Sequence, residues 1–131
     1  MGDFWPGNVM VSLDEMGALK HAHVLDWELS KTGLPGIDIG QFSAELHLLR
    51  RFHPEVCEQT ATLVLEHFLR EYRIVASPDE EDIRRANVHV GAHLVVLAGR
   101  VEWGEKERTR EVVLEGARMI ANGKNMLLAS G

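Results

Sequence analysis

Met1-Gly-Asp-Phe-Trp-Pro-Gly-Asn8-Val-Met-Val-Ser-Leu13 opens the chain, and its punctuation sets the fold. Two glycines and a proline in the first eight residues exclude a regular helix, so residues 1–8 read as a loop. Asn8–Leu13 is short and β-branched. After a turn through Asp14-Glu-Met-Gly17, His23–Trp27 has similar character, and the two runs predict a small hairpin over about residues 8–27. Beyond Gly33-Leu-Pro-Gly36 the periodicity becomes helical. Ile39, Phe42, Leu46 and Leu49 predict a helix over about 38–52, with Glu45 and Arg50 elsewhere on the wheel. Pro54 starts a second, to about 74, with Val56, Leu63, Val64, Phe68 and Tyr72 as its apolar stripe. Ser77-Pro-Asp-Glu80 reads as a capping serine, a proline in the first turn and acids against the positive dipole end. It opens a helix over about 78–103 that buries Ile83, Ala86, Val90, Leu94, Leu97, Ala98 and Val101. Gly104 interrupts, and a last helix spans about 107–128, with Gly116 and Gly123 weakening it. The expected class is α+β, mostly α, in one domain over residues 1–131.

Composition narrows the function. The chain has 131 residues, 45% hydrophobic and 26% charged, the makeup of a globular domain with one core. Fourteen basic against 20 acidic residues give a formal charge of −6, which disfavours a nucleic-acid partner. The single cysteine, Cys57, cannot form an internal disulfide and reads as a small packing residue. No apolar run approaches the roughly 20 residues of a membrane span, and Asp3 stands where a signal peptide would be basic. A cytoplasmic site is the expectation.

The residues that could carry chemistry are Asp3, Asn8 and Asp26. A hard divalent cation such as Mg²⁺ takes oxygen ligands at about 2.0–2.1 Å and tolerates little distortion, so its ligands need rigid supports. A hairpin provides them: Asn8 heads the first strand and Asp26 lies on the second run, at the same end of the ribbon, while Asp3 projects from the preceding loop. Asp-x-x-x-x-Asn is also the spacing at which a phosphotransfer site places a proton-accepting carboxylate before a metal-binding amide. For Asp3 and Asn8 alone, an ordinary turn is the competing reading.

Gly2-Asp-Phe-Trp-Pro-Gly-Asn8, followed by strand, turn and Val24-Leu-Asp-Trp-Glu28, resembles the signature of the aminoglycoside phosphotransferase and choline kinase-like superfamily. Pro35-Gly-Ile-Asp-Ile-Gly40 resembles the segment where that family places an aspartate at the start of a helix behind the catalytic loop. The resemblance covers residues 2–40 and thereafter only a pattern of helices. It implies the C-terminal lobe of a protein-kinase-like fold, with Asp3 as catalytic base or substrate-orienting carboxylate and Asn8 and Asp26 as ligands of Mg²⁺. Glu28 would assist the metal or the substrate, and Asp38 would support the catalytic loop. The co-substrate implied is ATP, its γ-phosphate passing to a hydroxyl of a small molecule. Acidity would suit a cationic acceptor but does not choose one.

The resemblance also implies a nucleotide-covering lobe with a phosphate-binding lysine, and no segment of this chain shows one. Met1 occupies the position where the family has a histidine. The expectation is therefore a truncated phosphotransferase, weak or inactive alone, whose hairpin exposes apolar side chains such as Val9, Val11 or Val24 to self-association or to the missing lobe. The alternative is a non-catalytic helical binding or regulatory module derived from that lobe. His89 with His93, and His21 with His23, have spacings that could share a metal but lack an evident third ligand, so His93 reads as a core-edge histidine. Trp27 reads as a core residue, Asp38 as a helix cap, and Asp79–Asp82 as compensation of a helix dipole.

Overall fold

A computed structural model describes residues 1–122. A short 3-10 turn, Pro6–Asn8, leads into strands β1 (Val9–Leu13) and β2 (Leu19–Val24), followed by helices α1 (Gly36–Phe52), α2 (Pro54–Ala76), α3 (Glu80–Ala98) and α4 (Lys106–Asn122). The last helix begins at Lys106, beside its expected start, and its expected end near 128, with Gly123, lies outside the described residues. The architecture is mostly helical with one two-stranded antiparallel sheet. The strands pair in register from Val9 opposite Val24 to Ser12 opposite His21, with an irregularity before Leu13.

The second strand differs from its expected position, starting at Leu19 and ending at Val24. Leu25 still donates its N–H to the Asn8 carbonyl at 2.8 Å, but Asp26 has φ 62° and leaves the ladder. The third helix also starts late. Ser77 is in the left-handed region and closes α2, whereas Asp79 caps α3 by accepting the Asp82 N–H at 2.8 Å. An aspartate two residues nearer the helix satisfies the orphan amide that the serine was expected to take. At its other end α3 stops at Ala98 rather than near 103, and Val101 is exposed.

α1 is the central helix. One face packs with α2 around Ile39, Phe42, Leu46, Ala61, Leu65 and Leu69. The opposite face contributes Ala44, Leu48 and Phe52 to a second cluster with Val90 and Leu94 of α3 and Val112 and Met119 of α4. Burial on both sides carries polar residues inside: Glu45, expected elsewhere on the wheel, is buried, and its Oε1 lies 2.8 Å from Nε2 of His93. The expected stripe of α2 holds in its second half, where Phe68 and Tyr72 pack against the α1–α2 core, and fails in its first. Ala61, Leu65 and Leu69 are buried, while Val56, Leu63 and Val64 are exposed.

Glycines set the helix spacings. A Cβ on Gly116 would sit 2.6 Å from the Gly91 carbonyl oxygen, and one on Gly91 would sit 2.5 Å from that of Gly116. The residue that weakens α4 as an isolated helix is thus what lets α4 approach α3. Gly40 performs the same service between α1 and α3, where its Cβ would lie 2.8 Å from the Ala86 carbonyl oxygen.

On the ribbon, Met10, Val11, Leu13 and Leu19 are exposed. Val9, expected to be exposed with them, packs against the α1–α2 core, and Val24 is half-buried. Cys57 is a free, half-buried thiol. Among the described residues no helix is long and apolar enough to cross a membrane.

Candidate active site

The loop before β1 is fixed to α1 at four successive residues, Met1 to Phe4. Gly2 donates its N–H to Asp38 Oδ1 at 2.8 Å, and the Met1 nitrogen lies 2.6 Å from Oδ2 of the same carboxylate. Asp38 is in the first turn of α1, but the position before that helix is Pro35, and the Asp38 carboxylate is spent on the loop rather than on capping. Gly2 has φ 99° and a Cβ there would lie 2.7 Å from the Leu29 carbonyl oxygen, so only glycine fits between Asp38 and the segment that follows β2. Two residues on, Phe4 turns inward and stacks on Phe42 with ring centroids 4.7 Å apart, close to Phe68 at 5.9 Å.

Asp3 is therefore held between two anchors, and both of its carboxylate oxygens have donors. Gln41 Nε2 donates to Oδ1 at 2.8 Å, and Asn8 Nδ2 donates to Oδ2 at 3.2 Å and to the Asp3 carbonyl at 3.0 Å. Because both partners of the Asn8 nitrogen are acceptors, its amide orientation is decided and Oδ1 is left as a lone-pair donor. Between Asp3 and Asn8, Trp5 lays its ring over Gly7, whose Cβ would meet ring atoms at 2.4–2.6 Å, and the indole is 39% exposed.

Asp26 reaches this end of the ribbon through the backbone. The Leu25 bond to Asn8 sets Asp26 one residue past the last paired position. The left-handed conformation at Asp26 is one that aspartate tolerates better than most residues, and it turns the chain out of the ladder just before the turn closed by Ser30 N–H on the Trp27 carbonyl. Trp27 is 58% exposed, contrary to its expected place in the core, with Nε1 donating to the Val24 carbonyl at 2.7 Å. The indole is held by that bond instead of by packing. Glu28 is exposed.

Gln41 is the site residue that sequence reasoning missed. A polar residue three positions after Asp38, between Ile39 and Phe42 of an apolar stripe, was the available signal, since i and i+3 share a helix face. Among the described residues no three His, Cys, Asp or Glu side chains cluster as a metal site. The oxygen donors at this loop are the Asn8 amide and the Asp3 carboxylate, and the Leu25 bond to Asn8 brings the Asp26 backbone to the same end of the ribbon. Hard oxygen donors of this kind suit Mg²⁺ rather than a softer ion. The histidine pairs do not assemble into such a site: His21 Nδ1 lies 3.2 Å from Ser12 Oγ, and His93 is engaged by Glu45. Burial, with His93 nearby, pushes the His89 pKa down, the opposite of what an exposed cation would show.

No protein-family model matches the chain. It is similar over nearly its whole length to two curated proteins named 4-hydroxytryptamine kinase. The identity is 32% over 131 residues with that of Psilocybe cubensis, covering 95% of this chain and 34% of the relative. With that of Psilocybe cyanescens it is 33% over 118 residues, covering 88% and 31%. The chain thus spans about a third of the length of the curated relatives it matches, and both are kinases by name.

Proposed function

We propose that these residues form the acceptor and metal side of a small-molecule kinase related to the aminoglycoside phosphotransferase and choline kinase-like superfamily, a lobe of protein-kinase-like fold acting in the cytoplasm. The observation that carries the reading is the Asp3–Asn8 pair. Its spacing brings a carboxylate and an amide together, and Gln41 holds the second carboxylate oxygen. The kinase names of the relatives supply the reaction class.

The acceptor is a small molecule with a hydroxyl group. Its proton passes to Asp3 as its oxygen forms a bond to the γ-phosphorus of ATP, and the bond to the β-phosphate oxygen breaks to release ADP. Asn8 Oδ1 and the Asp26 carboxylate would hold Mg²⁺, which supplies positive charge beside the phosphates when bound. Asp38 and Phe4 position the loop, and Gln41 orients Asp3 so that one fixed oxygen edge faces the acceptor. Glu28 stands close in sequence to the metal side and would assist there or at the acceptor. The glycine-rich turn followed by a strand lysine that the resemblance implies for the nucleotide side finds no match within these residues, so nucleotide affinity from this part alone is weak.

Calorimetric titration of the 131-residue chain with ATP tests the proposal. The expected result is saturable binding that needs Mg²⁺ and is lost in Asp26→Ala. Binding that is absent, or indifferent to Mg²⁺ and to that substitution, would overturn it and leave the non-catalytic module.

A further inference from the structure

A second polar cleft lies at the other end of α1, where it meets the first turn of α2 and the middle of α4. Its volume is about 440 Å³, and it is lined by His47, Arg50, Arg51, Arg108 and Glu115, with Pro54 and Glu58 on the α2 side. His47 and Arg50 are six and nine residues beyond Gln41, so the cleft is about 9–14 Å along the helix from the Asp3 site. It is independent of the reading given above.

The wall is partly self-neutralised. His47 Nε2 is 3.2 Å from Glu115 Oε1, Arg51 Nη2 is 3.1 Å from Glu111 Oε2, and Arg51 Nε is 4.0 Å from Glu115 Oε2. The Glu115 carboxyl titrates below the ordinary glutamate range because the His47 ring lies beside it and Arg51 and Arg50 are near, so it stays a carboxylate. Donors nevertheless remain. Arg50 is bonded to Thr62 Oγ1 at 3.3 Å and lies 3.1 Å from His47 Nδ1, with no ion pair to a carboxylate among the described residues. Arg108 is half-buried with no hydrogen-bond or ion-pair partner among the described residues. His47 is 3% exposed, and its buried Nε2, although close to Glu115, has no hydrogen bond of adequate geometry; the same holds for the buried Arg51 Nε. The first turn of α2 has no side-chain cap.

We infer that this cleft binds a small oxyanion, a phosphate or phosphate monoester, through Arg50 and Arg108. Guanidinium groups form paired bonds with tetrahedral oxyanions, and a compact ligand suits a cleft that is also bordered by Glu58 and Glu115. Long polyanions would meet those acids and the −6 charge of the chain.

The test follows the arginine Nε–H signals of the ¹⁵N-labelled chain by NMR during titration with inorganic phosphate, against a chloride titration of equal ionic strength. The expected result is saturable movement of the Arg50 and Arg108 signals with one common Kd, weakened about tenfold in Arg108→Gln. Glu58→Gln, a change at an exposed side chain, should tighten binding. Glycerol 3-phosphate in a parallel titration separates the two sources: tighter binding than phosphate identifies a monoester, and weaker binding identifies the free ion. Movement no larger than with chloride, or Arg108→Gln binding as tightly as the parent while its backbone spectrum is unchanged, would overturn the inference.

Discussion

Replacing Gln41 with leucine removes the donor that holds Asp3 Oδ1 at 2.8 Å and leaves the rest of the loop's anchors in place. A hydrogen bond to a charged group contributes about 1.5–3 kcal/mol when well buried. Both side chains here are half-buried, so solvent screening reduces the figure to about 1–2 kcal/mol. The loss falls on the local opening of residues 1–8, because Gln41 is a member of neither of the two apolar clusters that hold the helices together. An opening equilibrium moved by that amount changes hydrogen exchange about 5–30-fold. The reporters are the Asn8 N–H, bonded to the Trp5 carbonyl at 3.0 Å, and the Leu25 N–H, bonded to Asn8 at 2.8 Å. Native-state exchange by NMR should show both amides exchanging faster in Gln41→Leu, with Val90 and Leu94 unchanged. Gln41→Glu, which sets carboxylate against carboxylate, should open the loop further at neutral pH than leucine does. Unchanged protection at Asn8 and Leu25 would refute the reasoning and show that Phe4 and Asp38 suffice. An equal loss at Val90 and Leu94 would refute it differently, by making Gln41 a determinant of the whole fold.

Two further outcomes follow from the helix packing and its charges. Gly116→Ala should destabilise, because overpacking against the Gly91 carbonyl at 2.6 Å costs about 1–3 kcal/mol, more than the roughly 1 kcal/mol that alanine gains in a helix. A thermal midpoint lower by about 3–8 °C by circular dichroism is expected, and an equal or higher midpoint would count against the close crossing. Acidification should destabilise in two stages. His89 has its pKa lowered from 6.5 by burial, so the unfolded chain takes up that proton first and stability begins to fall below about pH 6.5. Glu115 is lowered from 4.5 by the His47 ring 3.2 Å from it, so its contribution is present above pH 4.5 and is lost as pH falls through the folded value. Urea midpoints against pH should lose the first limb in His89→Gln and the second in Glu115→Gln; parallel curves for the parent and both variants would contradict these assignments.

Helix number and the hairpin were legible because they rest on local signals: prolines and glycines at the joints, and apolar residues at period 3.6. What the periodicity could not tell was how many sides of a helix would be covered. α1 looks amphipathic on its own, and only packing against both α2 and α3 explains why Glu45 and His47 are buried within it. Gly116 misled for a related reason, since helix propensity counts what glycine loses locally and is blind to the backbone approach it permits. In α2 the apolar residues exceed the area that α1 can cover. Leu65 and Leu69 are buried while Leu63 and Val64 remain exposed, although hydropathy ranks them alike. At the candidate site, Asp3 and Asn8 were legible from their spacing within one loop. Gln41 was not, because its partnership with Asp3 spans 38 residues and depends on where α1 runs behind the loop. The exposed Trp27 shows the limit of reading a large aromatic as core: its one polar atom found a strand-end carbonyl, and that bond, not burial, fixes the ring.

The central claim is that Asn8 and Asp26, beside Asp3, share one divalent cation, and titration with Mn²⁺ tests it most directly. Paramagnetic broadening in the NMR spectrum should strike the Asn8 side-chain amide and the Asp26 backbone first, be relieved by excess Mg²⁺, and vanish in Asp26→Ala. Broadening that instead begins at the acids Glu80–Asp82 in the first turn of α3, or that leaves Asn8 sharp throughout, would contradict the account.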